Sequence, residues 1–252
     1  FLGRNLCGKW SVYGKLQRDP ALRPFLPKTE PLKSGLRLKH WLQQEGSLFL
    51  KPDCSTHGKG AIQIQPQAGL LYVRARTDRN EEMEQTFSSL HKLWEWLTSF
   101  TGRRRYLIQP YLTLTRTAGT VFDLRSLMQK NGQGIWKLTG MAVRNGQTGS
   151  ITSNLHGGGH AEAVLPFLEK EFGKQRAGQL IHTIRRLSHR IPPVLEASCG
   201  RLAELGIDLG IDREGQIWII EVNSKPGRSI FKALQLESEQ KRSIQNPIAY
   251  AY

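Results

Sequence analysis

At 252 residues, 38% of them apolar, the chain can bury a full core as one large domain or two small ones. Its formal charge of +15 favours polyanionic partners, whether nucleic acid, nucleotide phosphates, anionic lipid or acidic peptides, without choosing among them. No run approaches the roughly eighteen uninterrupted apolar residues of a membrane span, and three cysteines, Cys7, Cys54 and Cys199, without CxxC spacing suit a reducing compartment, so a soluble cytoplasmic protein is expected.

The chain opens at Phe1 with no charged-then-apolar leader, which predicts no signal peptide and a fragment of a longer protein. Residues 8–18 and 33–45 read as helices separated by the proline-rich "RPFLPKTE". The strand "SLFLKPD" runs into "CSTHGKGAIQI", a small-residue turn followed by a second strand, and "LLYVRAR" is a third. Residues 79–100 are expected to form one helix with acidic residues in its first turns, where the helix dipole favours them. "RRYLIQPYL", "TVFDLRSLMQ" and "IWKLTGMAVR" read as strands, the last two joined at "KNGQG", whose Asn-Gly is a hairpin signal. "NGQTGSITSNLHGGGHAEA" is polar and glycine-rich and is expected to be a loop. Residues 164–205 are expected to hold two helices broken near Pro192 and Pro193, and "GIDLGIDREGQIWIIEVN" an antiparallel hairpin turning near Asp212 to Gly215, with helix after it. The series predicts an α+β protein with largely antiparallel sheets, without Rossmann-type βαβ units.

Three constellations carry chemistry. Lys51 ends a strand ahead of the turn Ser55, Thr56, His57, Gly58, Lys59 and Gly60, a hairpin whose backbone N–H groups can close over phosphates while the lysine adds a point charge. It lacks the GxxxxGK[ST] order of a Walker A loop. In the closing hairpin Glu221 and Asn223, two apart, share a strand face, and the turn can bring Asp208 opposite Glu221. Three hard oxygen ligands beside a phosphate site suit magnesium. Between these lie Asp123 and Arg125 on one strand face, Arg144 at the end of the next strand, and the loop from Asn154 to Gly159. Two arginines and a row of loop N–H groups can hold a carboxylate and a developing oxyanion, with Asp123 either orienting Arg125 or contacting an incoming amine. His156 and His160, beside a triple glycine, lack the rigid scaffold of a metal pair. The basic clusters, Arg103 to Arg105 and Arg185 to Arg186 among them, are spread along the chain, and no zinc-finger spacing or aromatic RNP-like stretch points to nucleic acid.

This order of motifs resembles the ATP-grasp superfamily: a lysine before a glycine-rich hairpin, "IQPYL", D-x-R, an arginine and an asparagine around a glycine loop, then D…E-x-N followed by proline and glycine. "FDLRSLMQ", "GMAVRNGQTGSITSNLHGGG" and "WIIEVNSKPGRSIF" resemble more closely the YheC/YheD family, described as endospore coat-associated ATP-grasp proteins. The resemblance runs from Lys9 to about Phe231. It implies ATP held between two α+β subdomains, residues 47–112 as a lid over residues 113–252, with 1–46 as a helical segment leading in and the usual preceding domain missing or shortened. It implies Lys9 and Lys51 as phosphate contacts, Gln109, Pro110, Tyr111 and Leu112 as the hinge beside adenine, and Asp208, Glu221 and Asn223 as ligands of Mg2+, with Mn2+ as the alternative ion. Arg144 and Asn154 match residues near the acyl phosphate of such enzymes. Two positions depart from the pattern: Gln109 stands where the hinge normally opens with Glu, and Gly206 stands where related ligases carry an arginine, whose role falls to Arg125 or Arg144 or is absent. The implied activity is ATP- and Mg-dependent carboxylate–amine ligation through an acylphosphate, on an acidic peptide or small carboxylate, with spore coat proteins as further partners. A phosphotransferase and a non-catalytic ATP-binding coat component are the alternatives.

Overall fold

A computed structural model describes residue 6 and residues 8–56, 58–114, 119–147, 150–151, 153 and 159–251. Two antiparallel sheets organise it. The first is built from β1 (Glu30–Pro31), β2 (Leu48–Pro52), β3 (Ile62–Gln67), β4 (Leu70–Arg76), β5 (Glu82–Phe87) and β6 (Tyr106–Pro110), in the order β1-β6-β2-β3-β4-β5. Helices α2 (Gly35–Glu45) and α3 (Leu90–Thr101) bury Leu38, Trp41, Leu93 and Leu97 against Leu48, Leu50, Ile62, Ile64 and Ile108. Each starts at a serine whose hydroxyl accepts a helix N–H, Ser34 from Arg37 and Ser89 from Lys92, and each ends at a glycine of positive φ, Gly46 and Gly102.

The second sheet comprises β7 (Phe122–Lys130), β8 (Trp136–Asn145), β9 (His160–Glu162), β10 (Glu204–Ile211) and β11 (Ile217–Asn223), ordered β11-β10-β7-β8-β9. Helices α4 (Val164–Phe172) and α5 (Lys174–Cys199) cover one face. Helices α6 (Ser229–Ala233) and α7 (Glu237–Ala251) pack on the other, where Ile230 and Phe231 meet Leu127 and Ala142. With helices on both sides, every residue of β7 is buried, including Asp123, Arg125, Gln129 and Lys130. Such a strand must find partners for its polar groups. Gln129 donates to Glu204 and to the Ser243 carbonyl, and Lys130 to Glu196.

The N-terminal stretch divides between the two cores. Helix α1 (Lys9–Leu16) puts Val12 and Leu16 into the second core, while β1 and α2 join the first. Among the described residues no helix is long and apolar enough to cross a membrane.

Three expectations about elements are corrected. Residues 79–100 are not one helix: β5 pairs with β4 and the helix begins at Leu90. The acidic residues belong to the strand, where Glu82 and Glu84 both meet Arg74 across the ladder at 3.5 and 3.1 Å, and Ser89 supplies the cap. The helix break falls at Gly173, φ +77°, and α5 runs through Pro192 and Pro193. An interior proline costs about 3 kcal/mol or more, but Ile184, Leu187, Ile191 and Leu195 are fully buried at about 1.5–3 kcal/mol each, which is enough to carry the helix across. The stretch expected to be loop contributes β9, which pairs with β8 from Val143 to Asn145.

Candidate functional site

A cleft of about 620 Å3 lies between the sheets and is lined from both. Strand β2 brings Lys51 to it, and the turn after β2 brings Ser55, Thr56, Gly58 and Lys59. The end of β6 and the residues after it supply Gln109, Pro110, Tyr111 and Leu112, and the second sheet supplies Asp123, Arg125, Arg144, Asp208, Glu221 and Asn223. Apolar side chains, among them Phe49, Leu114 and Ile220, also line it.

The hairpin β10–β11 sets Asp208 directly opposite Glu221, with a register shift between Asp208 and Leu209. Strand β7, on the other side of β10, sets Arg125 opposite Asp208, and β8 sets Arg144 opposite Asp123. These registers make a ladder of alternating charge. Arg125 donates through Nε and Nη2 to the two oxygens of Asp208, the second bond 2.9 Å long. Arg144 donates through Nε and Nη2 to the two oxygens of Asp123, each at 2.6 Å, and its Nη2 also lies 2.9 Å from Asp208 Oδ2. The Ser153 hydroxyl donates to Asp123 Oδ2 at 2.6 Å. Asp123 therefore orients Arg144, not Arg125, because the cross-strand neighbour lies closer than the residue two along the same strand. The Nη1 groups of Arg125 and Arg144 have no hydrogen-bond partner among the described residues.

The electrostatics follow the ladder. Burial opposes the Asp208 charge, but Arg125 and Arg144 prevail and hold its pKa down to about 2. Asp123 is pushed upward, first by burial and then by the Asp208 charge, with Arg144 and Ser153 opposing. Desolvation brings Lys51 down to about 8 against the pull of Glu221. Its Nζ donates to the Ile220 carbonyl at 3.1 Å. Lys9 Nζ donates to the Ser55 carbonyl at 2.9 Å and lies 3.4 Å from Glu221 Oε1.

The turn after β2 uses part of its own backbone: Lys59 N–H donates to Thr56, Gly60 N–H to Arg76 and Ala61 N–H to Gly58. Gly60 has φ +74°, and a Cβ there would come within 2.8 Å of the Tyr106 hydroxyl. Gln109 turns its amide to the Thr29 hydroxyl at 2.6 Å. At Gly206 a Cβ would lie 2.9 Å from Asn223 Oδ1 and 3.3 Å from Arg125 Nη1. The guanidinium of β7 thus occupies space that a side chain on Gly206 would need. His57, Asn154 and His156 lie outside the described residues. His160 pairs with Glu162 at 3.1 Å on the edge strand β9.

Two contributors had escaped the sequence reading. Asp53 caps α1, accepting from Lys9 N–H at its carbonyl (3.0 Å) and from Trp10 N–H at Oδ1 (2.8 Å), and so fixes the base of Lys9. Gly8 is tied to it, since a Cβ there would lie 2.5 Å from Asp53 Oδ1. An aspartate one residue after the strand's closing proline was the available signal. Ser153 had none, because its role depends on where the loop folds back.

The YheC/D like ATP-grasp family profile matches residues 1–252. The chain is 30% identical over 244 residues to the endospore coat-associated protein YheC of Bacillus subtilis, covering 97% of this chain and 66% of that protein. It is 26% identical to the endospore coat-associated protein YheD of the same organism, covering 100% of this chain and 55% of that one. Among solved structures, the C-terminal domain of K. lactis Pby1, described as an ATP-grasp enzyme, superposes with a TM-score of 0.53 at 14% identity, over 96% of this chain and 74% of that one.

Proposed function

Because the chain belongs to the YheC/D-like ATP-grasp family, we propose that it binds ATP in the cleft between its two sheets and spends it to join a carboxylate to an amine. The observation that carries this reading is the convergence of Lys9, Lys51, Asp208, Glu221 and Asn223, from four separate elements, on one cleft.

The donor set fits a hard divalent cation. Asp208, Glu221 and Asn223 offer only oxygen, which suits Mg2+, with Mn2+ as the alternative. Asp208 Oδ2 already accepts from both arginines, whereas Oδ1 accepts only from Arg125 and keeps a lone pair. A metal held there would neutralise phosphate charge. Lys9 and Lys51 supply further positive charge to the phosphates, with Ser55, Thr56 and Gly58 beside them. The backbone of Pro110 to Leu112 is suited to reading the base edge, with Phe49, Leu114 and Ile220 as apolar walls. On this reading residues 47–112 act as the lid and 113–252 as the base.

The reaction class is γ-phosphoryl transfer to a carboxylate, giving an acylphosphate and ADP, then attack by an amine to give an amide and phosphate. The chain's own part is electrostatic. Arg144, held by Asp123, and Arg125, held by Asp208, each keep an Nη1 for the carboxylate and the oxyanion. Arg125 thereby stands in for the arginine that Gly206 lacks.

The names of the two relatives support a role at the endospore coat of a spore-forming bacterium, and the charge of +15 favours an acidic peptide or a small polycarboxylate as substrate. ADP release should be measured against amino acids and acidic peptides, with mass spectrometry of the products. Amide formation is expected. A phosphorylated product without amide would make the protein a phosphotransferase, and ATP binding without turnover would make it a binding component.

A further inference from the structure

We propose a second anionic docking surface, remote from the cleft, that takes an acidic protein segment. It is formed by residues 182–190 of α5 and the stretch 17–24 beside it. The exposed residues of α5 between positions 182 and 190 are His182, Arg185, Arg186, His189 and Arg190. The first four fall at i, i+3, i+4 and i+7, one stripe of the helix. The exposed residues of 17–24 add Arg18 and Arg23. The two stretches are held together by Arg190, which clamps the buried Asp19 at 2.7 Å, and by Arg186, which lies 5.9 Å from the centre of the Phe25 ring. Asp19 is the only carboxylate among residues 17–24 and 182–190, and Arg190 pairs with it, so the exposed charge of both stretches is positive. None of these residues lines the cleft.

The shape selects the occupant. A helix that reads duplex nucleic acid must enter a groove about 12 Å wide, whereas α5 is flanked here by the stretch 17–24 through Asp19 and Phe25. A single strand needs exposed aromatic faces to stack on, and Phe25 is half-buried beneath Arg186. An anionic bilayer needs apolar anchors, and none of the exposed large apolar side chains belongs to residues 17–24 or 182–190. A row of guanidinium forks without backbone N–H groups matches carboxylates spaced along a glutamate-rich segment.

Binding of a fluorescent glutamate-rich peptide to the full chain tests this, with duplex oligonucleotide and phosphatidylserine vesicles as competing probes. Reversing Arg18, Arg23 and Arg185 to glutamate should weaken peptide binding at least about tenfold, and leave ATP turnover unchanged and the thermal unfolding midpoint within about 2 °C of the parent's. Reversing Lys39, Arg79 and Arg103, an equal change of charge on the other sheet, should leave it within about twofold. Equal loss in both triples would reduce the effect to net charge and overturn the proposal. So would peptide affinity untouched by the first triple, or tighter binding of the oligonucleotide or vesicles that the first triple abolishes.

Discussion

The two walls of the cleft solve the placement of charge differently. On the second sheet, Asp123, Arg144, Asp208 and Arg125 sit on three neighbouring strands, each fixed by its register and each bonded to the next. Facing them, Lys9 stands at the start of α1, a helix packed in the second core but capped by Asp53 of the first, and contacts the Ser55 carbonyl and Glu221, while Lys51 of the first sheet donates to a strand carbonyl of the second. The first group is preorganised by its sheet. The second is held by contacts that a polyanion can replace, so charge that must be in place before binding and charge that must respond to it are kept on different scaffolds.

This contrast can be broken deliberately. Asp208→Asn removes the acid that both arginines share, and leaving buried guanidinium charge unpaired should cost about 3–5 kcal/mol in urea unfolding. Glu221→Gln removes the carboxylate on β11 that faces the looser group: its side chain is one-third exposed and its partner is Lys9, so the fold should survive. ATP turnover should nonetheless fall by about 10²–10³-fold, since the cation that would offset charge at the reacting phosphate loses a carboxylate ligand; normal turnover in that variant would remove Glu221 from the proposed metal site. Gly206→Ala pushes a methyl against Asn223 and Arg125 and should cost about 1–3 kcal/mol with a matching loss of turnover. Lys9→Ala should change stability by less than about 1 kcal/mol while weakening ATP binding, as measured by calorimetry.

The smallest effect is a pH dependence outside the cleft. Burial would raise the Asp19 carboxyl, but Arg190 and the Ala21 N–H hold it below the usual carboxylate range. A depressed carboxylate contributes stability that is complete above its unfolded pKa, about 3.9, and is lost as pH falls through the lower folded value. Arg190→Ala should therefore be less stable than the parent at neutral pH, with the gap closing under acid unfolding.

Much of this was legible in the order of residues. The closing hairpin could be read because its turn lies between Asp212 and Gly215, and a strand period of two then puts Glu221 and Asn223 on one face and Asp208 across from Glu221. Such relations are local, governed by backbone geometry over a few residues. The run from 79 to 89 misled because alternating Glu, Met, Glu, Gln, Thr and Phe favours a strand only when β4 is there to receive it.

The amino-acid sequence by itself determined the charge balance, the two hairpins that bear on the site, and the oxygen-rich end of β11. Only the tertiary structure decided who answers whom. Arg125 and Arg144 meet Asp208 because β7 lies between β10 and β8, an order that leaves no periodic trace in the chain. Lys9 reaches Glu221 because Asp53, at the end of a strand in the other sheet, caps the helix that carries it. Spacing along the chain fixes which face a side chain takes; the partner on that face is chosen by packing between elements that are distant in sequence.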